Sequence, residues 1–254
     1  MGNLKKILII ITAIIIAGCA TKTPDNPQDP FETYNRAMFG FNRSIDKWII
    51  IPVAEVYDTI LPNPAKTGVS NFFSNLMESS RITNDVLQFQ IGWAIADTWR
   101  LIFNSTIGIG GLFDVATHFG LKKREQDLGL TFAKWGAKES PYFVIPILGS
   151  STIRDGVCLF LNYWMTPYPY IDPWYLRWGL LSLHYITIRA DMLPTEDLIN
   201  EAFDPYVFVR DAYLQRRAYL IEGSKVEEDT YVADSDEQQS EAKSEPESET
   251  KPST

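Results

Sequence analysis

Between Phe31 and Trp48 the apolar residues Phe31, Tyr34, Met38, Phe41, Ile45 and Trp48 recur at alternating intervals of three and four. Arg36, Asn42, Arg43 and Lys47 take the rest of the cylinder, so the segment is predicted to be an amphipathic helix with one apolar stripe. Asp29-Pro30-Phe31-Glu32 reads as its start, with Asp29 as N-cap, Pro30 at the first helical position and Glu32 as reciprocal cap. Pro52 predicts its end, because the residue before a proline is pushed out of the helical region. Leu61-Pro62-Asn63-Pro64 marks a further break. If Asp85 to Phe103 is one helix, its apolar residues fall all round the wheel, the mark of a helix that is buried or faces lipid.

The glycines of Asn104 to Gly111 raise the question of a phosphate-binding loop. Gly108, Gly110 and Gly111 match neither G-x-G-x-x-G nor G-x-x-x-x-G-K-[ST], and a compact turn explains them. Tyr142 to Ser150 is ambiguous between strand, loop and buried helix, and Pro141 and Pro146 argue against a regular central element. Residues 163–178 hold seven aromatics, Tyr163, Trp164, Tyr168, Tyr170, Trp174, Tyr175 and Trp178. Such rings gather where one end is apolar and the other wet, or in a core. Asp204-Pro205 then opens a last helix through Tyr206, Val209, Tyr213 and Arg216-Arg217.

The first nineteen residues add an address. Met1 to Lys6 is short and basic, Ile7 to Ala17 is apolar, and Ile16-Ala17-Gly18-Cys19 closes the run. That is the pattern of a bacterial lipoprotein signal, too short for a comfortable transmembrane span. Residues 1–18 are therefore expected to be removed and Cys19 to carry the lipid, with no other cofactor. Ala20, where Asp usually signals retention at the inner membrane, points to the periplasmic face of the outer membrane. The chain divides into this signal, a lipidated tether over 19–28, one domain over 29–221 and an acidic tail over 222–254. The tail holds eleven acids against Lys225, Lys243 and Lys251, a net of −8 in a chain of −9. Its composition cannot bury a core and reads as disordered. With the tail set aside the body is weakly charged, and no basic patch invites nucleic acid. Beyond Cys19 only Cys158 remains, in an apolar run that suits a buried hydrophobe.

Catalytic machinery is sparse. Gly149-Ser150-Ser151 lacks the second glycine of a G-x-S-x-G elbow, and the two imidazoles, His118 and His184, have no metal-ligand spacing. A membrane lipid hydrolase is the enzymatic alternative to weigh, and a structural tether between membrane and porin is another.

Ordered motifs along the body resemble one family. They are Asp29-Pro30-Phe31-Glu32 with Asn35-Arg36 and Phe41-Asn42; Asn71-Phe72-Phe73-Ser74-Asn75-Leu76; and Asn104 through Asp114. Pro141-Tyr142 with Leu148-Gly149-Ser150-Ser151, Arg154-Asp155, and Asp204-Pro205-Tyr206 with Arg210 follow. On these the chain resembles the MlaA (VacJ) family of outer-membrane lipoproteins from Asp29 to about Arg217. It departs at Ala133 and Ser140, and at Phe89, where glycine is common in the family. The resemblance implies an all-α, ring-shaped body lying in the inner leaflet of the outer membrane, with an amphipathic channel. Such proteins remove misplaced phospholipid from the outer leaflet and pass it to a soluble periplasmic carrier of the Mla system, usually while bound to trimeric porins. Within that picture Arg154 and Asp155, with Ser150 and Tyr142, form the candidate headgroup cluster, because a guanidinium meets a phosphate with two hydrogen bonds. An Arg-Asp pair fixing a turn or capping a helix explains the same residues.

Overall fold

A computed structural model describes residues 26–223. The signal, Cys19 and most of the acidic tail lie outside the described residues.

The amphipathic segment forms α1, Glu32–Ile45. Its N-cap position is Phe31 and makes no side-chain cap, so the predicted capping by Asp29 is corrected. The Asp29 carboxylate is fully buried and accepts from Asn35 Nδ2 at 2.8 Å, from the Tyr206 hydroxyl and from Arg210 at 3.2 Å. A buried carboxylate is better satisfied by a guanidinium and two further donors than by frayed helix amides. Glu32 pairs instead with Arg36, one turn on, at 2.7 Å.

The predicted stop at Pro52 is also corrected. The chain widens into a π-helical turn over Asp46–Ile50 and continues as α2, Ile51–Ile60, with the proline in its first turn. The Ile51 amide reaches back to the Asp46 carbonyl, five residues away. This wider loop removes the clash that a proline ring makes with the carbonyl four residues earlier.

Pro62 is extended, and α3 runs Asn63–Leu87 with Pro64 near its start, where a missing N–H costs nothing. The helix expected over Asp85 to Phe103 is two: α3 stops at Leu87, and α4 spans Ile91–Thr106. Phe89 holds the turn between them at φ 60°, a left-handed conformation that a glycine reaches more cheaply. The two helices then pack against each other.

After α4 the chain turns at Gly111, at φ 93°, where a Cβ would lie 2.5 Å from the Asn75 Cβ. Asp114 caps α5, Val115–His118, by accepting from the Thr117 amide, and Asp127 caps α6, Leu128–Lys134, by accepting from the Leu130 amide at 2.8 Å. The ambiguous segment forms a hairpin. β1, Tyr142–Ile145, pairs antiparallel with β2, Gly149–Thr152, in the register Tyr142 to Thr152 and Ile145 to Gly149. Pro141 and Pro146 flank β1 and leave its ladder donors intact. Thr152 caps α7, Ile153–Tyr163. α8 is Trp174–Asp191, α9 is Glu196–Glu201, and α10 begins at 205 and continues to 223, with Asp204 accepting from the Tyr206 and Val207 amides. The fold is thus all-α in character with one small hairpin.

The packing order closes a circuit. α1 lies on β1, the hairpin on α7, α7 on α6, α6 on α3, α3 on α8, and α8 on α2, which is continuous with α1.

Candidate functional site

Where α3 packs on α4 the buried side chains are largely polar or charged, and α4 turns apolar residues outward. Among the described residues twenty polar or charged side chains are buried against fourteen apolar ones, and the largest fully buried group is Arg100. In α4 the buried positions are Ala94, Asp97, Arg100 and Asn104, while Ile91, Ile95, Trp99 and Ile102 are exposed. Both sets follow helical spacing. α3 likewise turns Glu78, Arg81, Asn84 and Asp85 inward.

Two charge groups organise this interior. Glu78 accepts from Arg81 at 2.8 Å and from Arg100 at 3.3 Å. Arg100 also meets both Asp114 oxygens at 3.2 Å and donates to the Leu121 carbonyl. The second group is Arg124, whose Nη2 donates to both Asp85 oxygens at 3.0 and 2.9 Å and whose guanidinium lies 3.9 Å over the Trp93 ring. As an ionised group Asp97 has only the same guanidinium, 3.8 Å away, and no hydrogen bond; protonated, it shares one with Asp85. Burial, reinforced by the charges of Glu78 and Asp85, pushes Asp97 up to about 7. A neutral network also starts from α3: Thr131 donates to Asn84 and accepts from Gln88, both at 2.8 Å, and Asn162 accepts from Ser80 and Asn84.

The four candidates from the sequence are brought together around Tyr213. Tyr142 is fully buried, and its hydroxyl lies 2.8 Å from Ser150 Oγ. Its ring meets Tyr213 at 6.0 Å, and the Tyr213 hydroxyl donates to Asp155 at 2.8 Å. Asp155 accepts from Arg154 at 2.8 Å and from Arg217 at 2.9 Å. Burial pulls its carboxyl upward, but the Arg154 hydrogen bond, the Arg217 charge and the Tyr213 hydroxyl together hold it below the usual range. Arg154 spends further donors on the Ala137 and Lys138 carbonyls, at 2.8 and 3.0 Å. Its side chain is 7% exposed. The pair ties the start of α7 to α10 and to the loop before β1, the bracing role that the sequence also allowed.

The residues missed in the sequence are Glu78, Arg81, Asp85, Asp97, Arg100 and Arg124. A signal was present, since Asp97, Arg100 and Asn104 recur at three and four within an otherwise apolar run. A helix continued across Phe89 fills its wheel all round and hides that spacing.

The outer surface carries Trp48, Ile49, Val53, Val56 and Ile60 along the π turn and α2, and Trp164, Trp174, Tyr175 and Trp178 on the aromatic segment. Trp48 is 78% exposed and Phe89 85%, far more than isolated apolar residues on a soluble surface require. Of the aromatic cluster, Tyr168 alone is buried, its hydroxyl 2.8 Å from His184 Nδ1. No helix among the described residues is long and apolar enough to cross a membrane.

Charges sealed between helices beneath exposed aromatics set this helical circuit apart from an ordinary water-soluble body. Residues 27–220 match the family model described as MlaA lipoprotein, and the chain belongs to that family. It is 32% identical over 225 residues to the intermembrane phospholipid transport system lipoprotein MlaA of Escherichia coli, covering 84% of this chain and 86% of that one. An uncharacterised protein of Rickettsia typhi is 37% identical over 191 residues, covering 74% and 76%. A solved structure concerned with the maintenance of bacterial outer membrane lipid asymmetry superposes with a TM-score of 0.67 at 33% identity, covering 76% of this chain and 98% of that one.

Proposed function

We propose that this chain is the lipoprotein of an intermembrane phospholipid transport system. In this reading its body lies in the inner leaflet of the outer membrane, removes phospholipid from the outer leaflet and passes it to a soluble periplasmic carrier beside trimeric porins. The observation that carries the proposal is the inverted partition of side chains. Each large apolar side chain taken out of water contributes about 1.5 to 3 kcal/mol, so the outward faces of α2, α4 and the aromatic segment favour acyl chains as their neighbours. Glu78, Arg81, Asp97 and Arg100 are buried between α3 and α4, so this part of the body keeps its charges within and its apolar side chains outside, as a body that works among lipids would. α2 has ten residues, about 15 Å of helix, which suits one leaflet of a hydrocarbon core about 30 Å thick. Tyr142, Ser150, Arg154 and Asp155 then brace the wall of the ring.

The test is the amount of phospholipid in the outer leaflet of cells lacking the chain, read through an outer-membrane acyltransferase that modifies only lipid exposed there. Deletion is expected to raise that signal and the full chain to restore it. A deletion strain indistinguishable from the parent would sink the transport reading, and loss of restoration in a His118→Ala, His184→Ala double variant that still folds would favour the hydrolase.

A further inference from the structure

Three buried atoms near one another have no hydrogen-bond partner among the described residues: both carboxylate oxygens of Asp97 and Nε of Arg124. The closest approach of the two groups is 3.8 Å, from Asp97 Oδ2 to Arg124 Nη2. That is about 1 Å longer than a charge-assisted hydrogen bond. The same Nη2 is taken by Asp85, whose two oxygens lie at 3.0 and 2.9 Å. Both carboxyl groups are thus within reach of one nitrogen, and both are sealed from water.

The three residues come from three elements. Asp85 is in the last turn of α3, Asp97 is in the middle of α4, and Arg124 is on the connection between α5 and α6. On either side of Arg124 that connection is fastened, by Arg100 to the Leu121 carbonyl and by Gln88 to the Gln126 side chain at 2.9 Å. The Arg124 side chain is therefore the part able to shift. The charges that bear on Asp97 are Glu78 and Asp85 from α3 and Arg124 from the connection. Glu78 is already paired with Arg81 and Arg100, and Asp114, at the start of α5, is paired with Arg100. Two carboxyl groups are left to one guanidinium, and a buried pair of this kind removes its surplus charge by holding a proton. Asp97 carries it and Asp85 accepts, since burial and the two neighbouring carboxylates raise Asp97 while Arg124 favours the ionised form of Asp85.

We propose that Asp85, Asp97 and Arg124 form a clasp worked by one proton. With the proton in place Asp97 donates it to Asp85, and Arg124 holds Asp85 alone. When the proton leaves to water, the Asp97 carboxylate draws the guanidinium inward by about 1 Å, and one arginine bridges both carboxylates. The atoms left without partners in the first state, Arg124 Nε and the Asp97 oxygens, satisfy one another in the second. The Arg124 tie thus reaches α3 alone at lower pH and α3 with α4 at higher pH. Trp93, one turn before Asp97, registers the shift, because the guanidinium lies 3.9 Å over its ring and interacts with that face electrostatically. The clasp is independent of the transport reading and needs only these side chains and the helices that carry them.

The experiment titrates the full chain in neutral detergent from pH 5 to 9 and follows two signals, the infrared absorbance of neutral carboxyl groups and tryptophan emission. The parent is expected to lose one neutral carboxyl with a midpoint of about 7, and Asp97→Asn to lack that step. Asp85→Asn replaces the neighbouring charge with an amide that donates to Asp97, and its midpoint is expected to fall by at least about one unit, tenfold in proton affinity. An emission change with the parental midpoint is expected in the parent and is expected to be lost in both Asp97→Asn and Trp93→Phe. A carboxyl step that survives in Asp97→Asn, or keeps its midpoint in Asp85→Asn, would show that the two residues do not share the proton. A carboxyl step with no matching change in Trp93 emission would show that Arg124 does not move. Each of these results overturns the clasp, and the parent with Asp97→Asn and Trp93→Phe decides the matter even if Asp85→Asn does not fold.

Discussion

The hairpin and α10 on one side, and α3 with α4 on the other, solve the problem of burial in opposite ways. Around the hairpin Tyr142, Val144 and Tyr206 form an apolar cluster with Met38, Phe39, Val207, Tyr213 and Leu214. Its one deeply buried carboxylate, Asp29, sits at the centre of Asn35, Tyr206 and Arg210. Between α3 and α4 much of the buried material is itself charged, with Phe73 beside it, and Ile91, Ile95, Trp99 and Ile102 of α4 are exposed. The first arrangement is that of a soluble core with one satisfied polar group. The second gains less from the hydrophobic effect and depends on the mutual pairing of its buried charges.

The largest effect is therefore expected from the charged side. Glu78→Ala leaves Arg81 and Arg100 buried without their shared carboxylate, and breaking such a group costs about 3 to 5 kcal/mol. Denaturant unfolding in detergent checks this, and a loss under about 1 kcal/mol would show that the two guanidinia find other partners. On the hairpin side Asp29→Ala strands fewer charges. It removes the acceptor of Asn35, Tyr206 and Arg210, and a loss of about 2 to 3 kcal/mol is expected. If Asp29→Ala proved costlier than Glu78→Ala, the ranking of the two regions would be reversed.

The same contrast explains how much was legible in advance. The α1 stripe, the Asp204 cap and the buried Cys158 follow local rules that tertiary structure had no reason to overturn. The family resemblance supplied the helical character and the closed body. Asp29 was misjudged because its partners, Tyr206 and Arg210, lie more than 170 positions away, beyond any local pattern. Pro52 was misjudged because a π turn, which has no strong sequence mark, absorbs it. The α3–α4 break depended on a non-glycine residue accepting φ 60°, and composition argues against that choice. Arg154-Asp155 was legible as a pair, but not its neighbours Arg217 and Tyr213 on α10.

A smaller effect of opposite sign is expected at Asp97, the least satisfied carboxylate of the charged side. In the folded chain it keeps its proton up to about 7, whereas an unperturbed Asp loses it near 3.8. Across that interval the folded state binds more protons, so this group makes stability fall as pH rises, with its cost complete above pH 7. His184 acts against it, because a lowered histidine pKa makes stability fall as pH drops through the range of the unfolded imidazole. The difference between parent and variant reports Asp97 together with Asp85, the neighbouring carboxylate coupled to it. Asp97→Asn is expected to match the parent near pH 4 and to exceed it progressively toward pH 8, by less than Glu78→Ala loses, since Arg124 at 3.8 Å already offsets part of the charge. Unfolding midpoints in detergent from pH 4 to 8 that ran parallel for the two proteins would show that Asp97 is ionised throughout.

The smallest change in fold stability is expected on the outer face, and there the comparison is sharpest. Trp48 and Trp99 are 78% and 49% exposed and lie on different helices. If they were ordinary surface residues of a soluble protein, replacing them would change little in any assay. If they face acyl chains, two measurements must part company. Trp48→Gln and Trp99→Gln are expected to alter unfolding in detergent by no more than about 0.5 kcal/mol each, the usual range for surface substitutions. A form with Cys19 replaced and no acyl anchor is expected to bind phosphatidylethanolamine and phosphatidylglycerol vesicles through this face, and each substitution to weaken that binding by about 1.5 to 3 kcal/mol. Flotation with vesicles reads the second quantity. Equal flotation of parent and double variant would place the two tryptophans in water or against another protein, and the inverted partition would then need a partner chain rather than a leaflet to cover it.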